Sequence, residues 1–291
     1  MKTISPAKYQ RIIDISIFFL SLIILTGAAV RLTEAGLGCE DWPTCNDGSP
    51  TPDWEIHGLI EFGNRLLSGV VAVAVAIAVL NAYKRRPRNN SLIFWAWGLV
   101  VGVVAQIILG GITVLLDLHP SIVGLHFILS MVLLWNAVVL REKNKTNTQK
   151  FIASSKLKNI SKVNLGLATI VIMTGVLVTG TGPNGGDSRA ERLSFSLQSI
   201  SRVHGLAVWL LLISTVVLLL QLRKSQGFKT HINLYMLLIV LQGSLGYLQY
   251  NQGVPPQLVA IHICGAIAIW LLSLFIFFII NPVKHKETGS L

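Results

Sequence analysis

Apolar residues fill this chain in eight long stretches that short polar connections separate. The stretches lie at about residues 12–30, 60–83, 92–116, 122–140, 163–181, 203–222, 232–250 and 258–280. As helices, they are long enough to cross a hydrocarbon layer of about 30 Å. The pattern predicts an all-α membrane protein with eight transmembrane helices.

Part of this pattern occurs twice along the chain. One set of residues recurs 136 positions later, with Gln106, Gly110, Pro120 and His126 matched by Gln242, Gly246, Pro256 and His262. A second match, at an offset of 147, joins His57-Gly58-Leu59 to His204-Gly205-Leu206. Each half would hold four helices, an even number, so both halves enter the membrane from the same side. The sequence predicts two parallel-repeat four-helix bundles, an N-terminal half of residues 1–145 and a C-terminal half of residues 146–291.

The first apolar stretch has two interpretations. Gly27-Ala28-Ala29 is a small-x-small sequence after an apolar run, as in a signal-peptide cleavage site. However, Thr26-Gly27 and Val30 recur in the fifth stretch as Thr174-Gly175 and Val178. The recurrence favours a helix that is retained as a member of the repeat.

The composition excludes a soluble globular domain, because 52% of the residues are apolar and only 13% are charged. If the N-terminus is cytoplasmic, 19 of the 24 Lys and Arg residues lie on the cytoplasmic side. The remaining five are Arg31, Arg65, Arg189, Arg192 and Arg202. The positive-inside rule then places both termini in the cytoplasm.

The excess of basic residues follows from this topology. A net charge of +11 indicates contact with anionic lipid headgroups rather than with nucleic acid. No amphipathic presequence rich in Arg and Ser precedes the first stretch, which favours the plasma membrane of a bacterium.

Four histidines lie near the outer ends of the even-numbered stretches: His57, His126, His204 and His262. Paired imidazoles inside a helix bundle are the ligands that a bis-histidine haem needs. Zinc or copper uses imidazole too, but such sites usually add carboxylates or thiolates at close spacing. Because these histidines come one per helix, the pattern favours two haem sites, or one haem and one haem-like substrate. The alternative is a set of interfacial histidines that only form hydrogen bonds.

Cysteines mark the first outer loop, where five residues, Pro43 among them, separate Cys39 from Cys45. Outside the membrane we expect a disulfide there, with a reactive thiol pair as the alternative. Cys264 lies two residues after His262, and we expect it to be a small buried apolar residue.

Residues 57–65, at the start of the second stretch, are the most chemically suggestive of the chain. Glu61 and Asn64 follow His57 at i+4 and i+7, so all three share one helix face. A buried Glu61 beside a haem could move protons, or it could simply pair with Arg65 at i+4. Arg65 and Arg202 could bind haem propionates, or lie as ordinary interfacial arginines.

These motifs together resemble the haem A synthase family, membrane enzymes that convert haem O to haem A for cytochrome oxidase. The resemblance covers nearly the whole chain. It is most specific in residues 27–39, GAAVRLTEAGLGC, in Asp41-Trp42-Pro43 with Cys45, and in residues 61–65.

The resemblance implies an oxidoreductase with a haem in each half. It implies a haem b held by His204 and His262, and a substrate haem O in the N-terminal half with His126 on one side. Glu61 corresponds to the family's catalytically important glutamate. The implied reaction oxidises the C8 methyl of haem O to a formyl group, through successive hydroxylations and loss of water from a geminal diol.

One position departs from the family pattern. Members carry a histidine three residues after that glutamate, and here the position is Asn64. Either His57 replaces the missing ligand, or His126 alone binds the substrate haem.

The implied partners are haem O and haem A, membrane lipids and a separate, unidentified electron donor. Because haem O is apolar, the farnesyltransferase that makes it is a further candidate partner. The sequence leaves the oligomeric state open, a homo-oligomer included. Two other functions stay open on the residues alone: a non-catalytic bis-histidine di-haem electron-transfer cytochrome that needs no Glu61, and a transporter with parallel repeats.

Overall fold

The computed structural model describes residues 3–146, 152–222 and 229–283. It contains eight helices: α1 Pro6–Leu32, α2 Ile56–Lys84, α3 Asn90–Leu115, α4 Pro120–Asn144, α5 Ser155–Thr181, α6 Leu197–Leu222, α7 Lys229–Asn251 and α8 Pro256–Ile280. All eight are long and apolar enough to cross a membrane. The prediction of an all-α protein with eight transmembrane helices is confirmed, and the chain is a multi-pass membrane protein.

The helices extend past the predicted apolar stretches at most of their ends. α1 begins at Pro6, where the Ser5 side chain accepts a hydrogen bond from the Lys8 amide (3.4 Å). α5 begins at Ser155, eight residues before its apolar stretch, and the Ser154 hydroxyl accepts from the Leu157 amide. Apolar runs report the part of a helix that lies in hydrocarbon, whereas capping side chains set where the helix begins.

Lipid-facing surface is visible on every side of the bundle. Large apolar side chains are more than half exposed on each of the eight helices, for example Phe18, Phe94, Val163, Trp209 and Leu241. A soluble protein would rarely expose so much apolar surface, but hydrocarbon solvates it without penalty.

Neighbour contacts arrange the helices in two rings. In the first ring α1 contacts α2 and α4, and α3 also contacts α2 and α4. In the second ring α5 contacts α6 and α8, and α7 also contacts α6 and α8. Contacts of α1 with α8, and of α4 with α5 and α8, join the two rings. This arrangement is compatible with two four-helix halves, whose boundaries and repeat symmetry stay predictions.

The even-numbered helices all begin at one end of the bundle, which we call the histidine end. The connections between α1 and α2 and between α5 and α6 meet there across the two rings. The amide of Gly36 donates to the carbonyl of Gly186 (2.9 Å), and Arg31 Nη2 donates to the carbonyl of Thr179 (2.9 Å). An apolar cluster of Leu37, Val114, Leu118 and Ala190 lies beneath these contacts.

A charged contact on the surface of the histidine end depends on pH. Arg189 donates to Asp187 (Nε to Oδ1, 3.0 Å) and also pairs with Glu40 (2.9 Å). The hydrogen bond from Arg189 lowers the pKa of Asp187 from its ordinary value of 3.8. Because the folded-state pKa is the lower one, Asp187 stabilises the fold fully above the ordinary value, and this contribution is lost as pH falls through the folded-state pKa.

We therefore expect Asp187→Asn to lower the thermal midpoint slightly at pH 7 and to have a smaller effect near pH 2. The measurement is thermal unfolding in detergent at both pH values. Asp53→Asn, in the exposed part of the α1–α2 connection, is the matched control and should leave both midpoints unchanged. An effect of Asp187→Asn that persists unchanged at low pH would contradict the ion-pair explanation.

Candidate haem-binding site

Two imidazoles face each other inside the second ring at the histidine end. The ring centroids of His204 on α6 and His262 on α8 lie 6.4 Å apart. A metal–imidazole bond is about 2 Å long, so two axial ligands of one metal have nitrogens about 4 Å and ring centroids about 6 Å apart. The observed separation therefore fits two imidazoles on opposite faces of one iron.

A glycine of the preceding helix lies against each of three histidines. A Cβ at Gly175 or Gly246 would lie 3.2 Å from Cε1 of His204 or His262, respectively, and a Cβ at Gly110 would lie 3.4 Å from Cε1 of His126. These distances are tighter than most Cβ contacts. The glycines of α3, α5 and α7 thus let each imidazole lie close to the backbone of the neighbouring helix.

Polar side chains fix the position of these histidines. Gln106 Nε2 donates to the backbone carbonyl of His126 (3.1 Å), and Gln242 Nε2 donates to that of His262. Thr174 Oγ1 lies 3.0 Å from His204 Nδ1. If Nδ1 carries the proton and donates to this hydroxyl, Nε2 is left with its lone pair for a metal. The Gln–Gly–Pro–His repeat in the sequence therefore corresponds to a repeated contact between consecutive helices.

The buried nitrogens of this site fit a ligand-binding role. Within the described part of the chain, Nδ1 of His126 and Nδ1 of His262 are buried and have no hydrogen-bond partner. An unsatisfied buried polar atom costs about 1–3 kcal/mol. A cost repeated at two equivalent positions indicates that these imidazoles serve function rather than stability.

The donor set fits haem better than a protein-bound metal ion. Among the described residues, no group of three or more His, Cys, Asp or Glu converges on one point. Zinc and copper sites need such a group, whereas haem supplies four nitrogens itself and needs only axial ligands. The paired imidazoles of His204 and His262 suit the two axial positions of a bis-histidine haem.

The fourth position of this pattern is Asn64. A Cβ at Gly27 of α1 would lie 3.8 Å from Asn64 Nδ2, and the Thr26 hydroxyl donates to Asn64 Oδ1 (2.7 Å). Thr174 and Gly175 of α5 make the corresponding contacts with His204. The packing therefore makes Asn64 the counterpart of His204.

His57, which the sequence match placed opposite His204, lies elsewhere. It is exposed, one residue after the start of α2, whereas His126 and His262 each lie six residues inside their helices. The match with His57 was wrong as a structural equivalence, because three shared residues are too few to fix a register. The register is fixed instead by Thr26 and Gly27, which lie on α1 and contact Asn64.

Glu61 lies one turn before Asn64 and is only 5% exposed. Its Oε2 accepts a hydrogen bond from the Cys39 amide (2.9 Å), and its Oε1 forms a salt bridge with Arg65 Nη2 (2.6 Å). The pairing at i+4 that the sequence allowed is present. Glu61 thus connects the start of α2 to residues 39–45, which we call the disulfide segment.

Arg65 uses all of its guanidinium donors, which bind Glu61 and the backbone of the disulfide segment. Besides Glu61, it donates to the backbone carbonyls of Cys39 (3.2 Å), Asp41 (3.1 Å) and Thr44 (2.8 Å). All five N–H donors of an arginine are used in this way. The structure therefore leaves no donor of Arg65 for a propionate, which corrects the predicted cofactor contact. Arg202 is exposed near the start of α6 and stays a predicted propionate ligand.

Of the two predictions made for the cysteines, one is confirmed and one is wrong. Cys39 and Cys45 form a disulfide and both are buried, so that prediction is confirmed. Cys264 is exposed, so the prediction of a buried residue was wrong. A small apolar side chain on a membrane helix can face lipid as readily as protein.

The disulfide segment also reaches the first ring through Trp42. A Cβ at Gly111 of α3 would overlap the Trp42 ring, so the indole packs directly on the helix backbone. Gly110, the neighbour of Gly111, lies against His126. The segment therefore covers α3 beside the first-ring histidine. The Gly110-Gly111 pair was the available sequence signal for this contact.

Comparison with known proteins agrees with this site. A family model described as cytochrome oxidase assembly protein, COX15-CtaA, matches residues 10–182, more than half of the chain. The chain belongs to the COX15-CtaA family. The matched segment includes nearly all of the first ring, the disulfide segment and the whole of α5, with Thr174 and Gly175.

The curated relatives share less than a third of the aligned residues with this chain. The chain is 28% identical over 166 residues to "Heme A synthase" of Lysinibacillus sphaericus, which covers 55% of this chain and 54% of that protein. It is 29% identical to "Heme A synthase" of Bacillus licheniformis over the same length and shares. It is 32% identical over 111 residues to "Heme A synthase" of Geobacillus thermodenitrificans, 38% of this chain and 34% of that protein. The matches span about half the length of the first two relatives.

Proposed function

We propose that this protein is a haem A synthase, which oxidises the C8 methyl of haem O to the formyl group of haem A for cytochrome oxidase. The observation that carries the proposal is the facing His204–His262 pair, at a separation suited to one iron, in a member of this family. The names of the curated relatives support the same activity.

In the C-terminal half, residues 146–291, His204 and His262 would hold haem b. Bound there, the haem would supply reversible one-electron transfer. Thr174 would orient His204 through Nδ1, and Gln242 would hold the backbone of α8 at His262. An unidentified electron donor would exchange electrons with this site.

In the N-terminal half, residues 1–145, His126 would hold the substrate haem. Glu61 would place a negative charge near the reacting edge. Since both of its carboxylate oxygens accept hydrogen bonds, its geometry suits stabilising positive charge on the oxidised methyl better than donating a proton. The disulfide segment and Trp42 would exclude water from the same region.

The proposed setting is the plasma membrane of a bacterium, with the histidine end outside and both termini in the cytoplasm. Both ends of the chain lie outside the described residues, so the charge pattern alone supports this orientation. The farnesyltransferase that makes haem O is the proposed neighbour, because it would deliver an apolar product directly within the membrane.

Co-expression with a source of haem O tests the proposal. We expect the purified protein to contain haem b together with haem O or haem A, identified by acid extraction and chromatography. His126→Ala should lose haem O and haem A but keep haem b. Haem b alone, with no conversion despite available haem O, would contradict the synthase and favour the di-haem electron carrier. A protein without haem would contradict both.

A further inference from the structure

We propose that Asn64 leaves one axial face of the N-half haem without a protein ligand, and that this face binds a small diatomic ligand beside the Asn64 amide. The inference rests on the proposed function, because it assumes a haem on His126. It adds a ligand-binding position that the other half of the protein lacks.

The argument begins with the equivalence of the two rings. In the second ring the facing ligands come from α6 and α8, which lie at opposite corners, and the equivalent corners of the first ring are α2 and α4. His126 of α4 matches His262 in its glycine, its glutamine and its position in the helix. The contacts of Thr26 and Gly27 match Asn64 of α2 to His204. Asn64 therefore occupies the position across the site from His126.

An asparagine at this position does not replace the missing imidazole. Its amide nitrogen has no free lone pair, and amide oxygen suits Mg²⁺ or Ca²⁺ rather than haem iron. In addition, Oδ1 already accepts the Thr26 hydroxyl (2.7 Å). The iron would therefore be five-coordinate, with His126 as its one protein ligand.

His57 cannot reach the same face from its own position. It lies seven residues before Asn64 on the same helix, roughly 10 Å away along the axis. Its side chain is exposed, and its backbone packs against Gly38, which directly precedes the disulfide segment. The segment fixes this end of α2, so the helix does not shift by two turns to present His57.

The Asn64 amide has a donor group that a ligand bound on this face would meet. With Oδ1 held by Thr26, the Nδ2 amino group is the free end of the side chain, and it lies near Gly27. An N–H donor beside an open coordination position strengthens and orients the binding of a polar diatomic molecule. Asn64 would therefore set ligand affinity on this face without binding the iron.

Carbon monoxide is the probe for this position. The protein, purified with both haems, is reduced and titrated with carbon monoxide while absorbance and the C–O stretching frequency are recorded. We expect one carbon monoxide per chain, because His204 and His262 occupy both faces of the C-half haem. His126→Ala should lose the N-half haem and all carbon monoxide binding.

Two substitutions of Asn64 separate its roles. Asn64→His should supply the missing ligand, give a second low-spin haem and weaken carbon monoxide binding by at least about tenfold. Asn64→Ala should keep both haems and full carbon monoxide stoichiometry but raise the C–O stretching frequency, because the hydrogen bond is lost. Asn64→Ala also serves if Asn64→His fails to fold.

The outcomes distinguish this inference from the proposed function. Two haems per chain with no carbon monoxide binding would overturn the open face and leave the synthase proposal intact. If binding then appeared in His57→Ala, His57 would be the ligand after all. A chain that retains only the C-half haem would overturn both the inference and the proposed substrate site.

Discussion

Replacing His262 with alanine is expected to remove the low-spin spectrum of the proposed C-half haem and most of that haem itself. The His204–His262 separation leaves room for one iron and its two axial bonds. Loss of an outer-shell partner alone typically weakens metal binding by about 10–100-fold, and loss of a ligand should cost more. Haem content after purification, with absorbance and electron paramagnetic resonance spectra, measures the effect.

His231→Ala is the matched control for this substitution. His231 is exposed and lies at the opposite end of the bundle from His262, near the start of α7. Thr174→Val tests the same site indirectly, because it removes the hydrogen-bond partner of His204 Nδ1 but leaves both histidines in place. We expect a smaller loss of haem than in His262→Ala. A normal haem b content in His262→Ala would refute the assignment of this pair.

The eight helices could be predicted from the sequence because hydrocarbon imposes one strong requirement. A crossing segment must satisfy its backbone groups internally and present apolar side chains, so apolar runs of sufficient length identify it. Helix ends lie in the interfacial region, where that requirement is relaxed. This is why α5 begins eight residues before its apolar stretch.

Much of the candidate site was also predictable, because it is built from contacts between consecutive helices. Gln106 and His126 stand 20 residues apart across a short connection, as do Gln242 and His262. Such a contact repeats in the sequence at a fixed spacing. The repeat therefore identified His126 and His262 together with the residues that position them.

The position of Asn64 was not predictable in the same way. Its counterpart in the other half is a different residue type, so sequence matching joined His204 to His57 instead. The contacts that decide the equivalence come from Thr26 and Gly27 on α1, across a long connection. Register between distant helices depends on packing, and a three-residue match does not determine it.

The role of Arg65 was hidden for another reason. Its i+4 pairing with Glu61 is a local contact and could be predicted. Its contacts with the disulfide segment are made to backbone carbonyls, which carry no residue-type signal. Such backbone acceptors can be identified only once the three-dimensional position of the disulfide segment is known. The sequence therefore predicted an arginine free to bind a propionate, whereas the structure shows one that is fully occupied.

Arg65→Ala is expected to cause the largest loss of stability at the histidine end, and with it loss of the proposed activity. It removes the hydrogen bonds that hold the carbonyls of Cys39, Asp41 and Thr44, and it leaves the buried Glu61 carboxylate without its cation. Breaking a buried ion pair from one side costs about 3–5 kcal/mol. The thermal midpoint in detergent and protease cleavage within residues 39–45 measure the effect.

Two comparisons isolate the cause of that loss. In a Glu61→Gln background Arg65→Ala should cost much less, because no buried charge is left unpaired, and the remaining cost reports the loop contacts alone. Arg189→Ala removes an exposed arginine that pairs with Glu40 of the same segment, and it should change the midpoint little. If Arg65→Ala were as mild as Arg189→Ala, the segment would be held by the disulfide and Trp42 rather than by Arg65.

Arg65→Lys should have a thermal midpoint between those of wild type and Arg65→Ala, because it keeps the charge but not the planar fork that reaches several carbonyls at once.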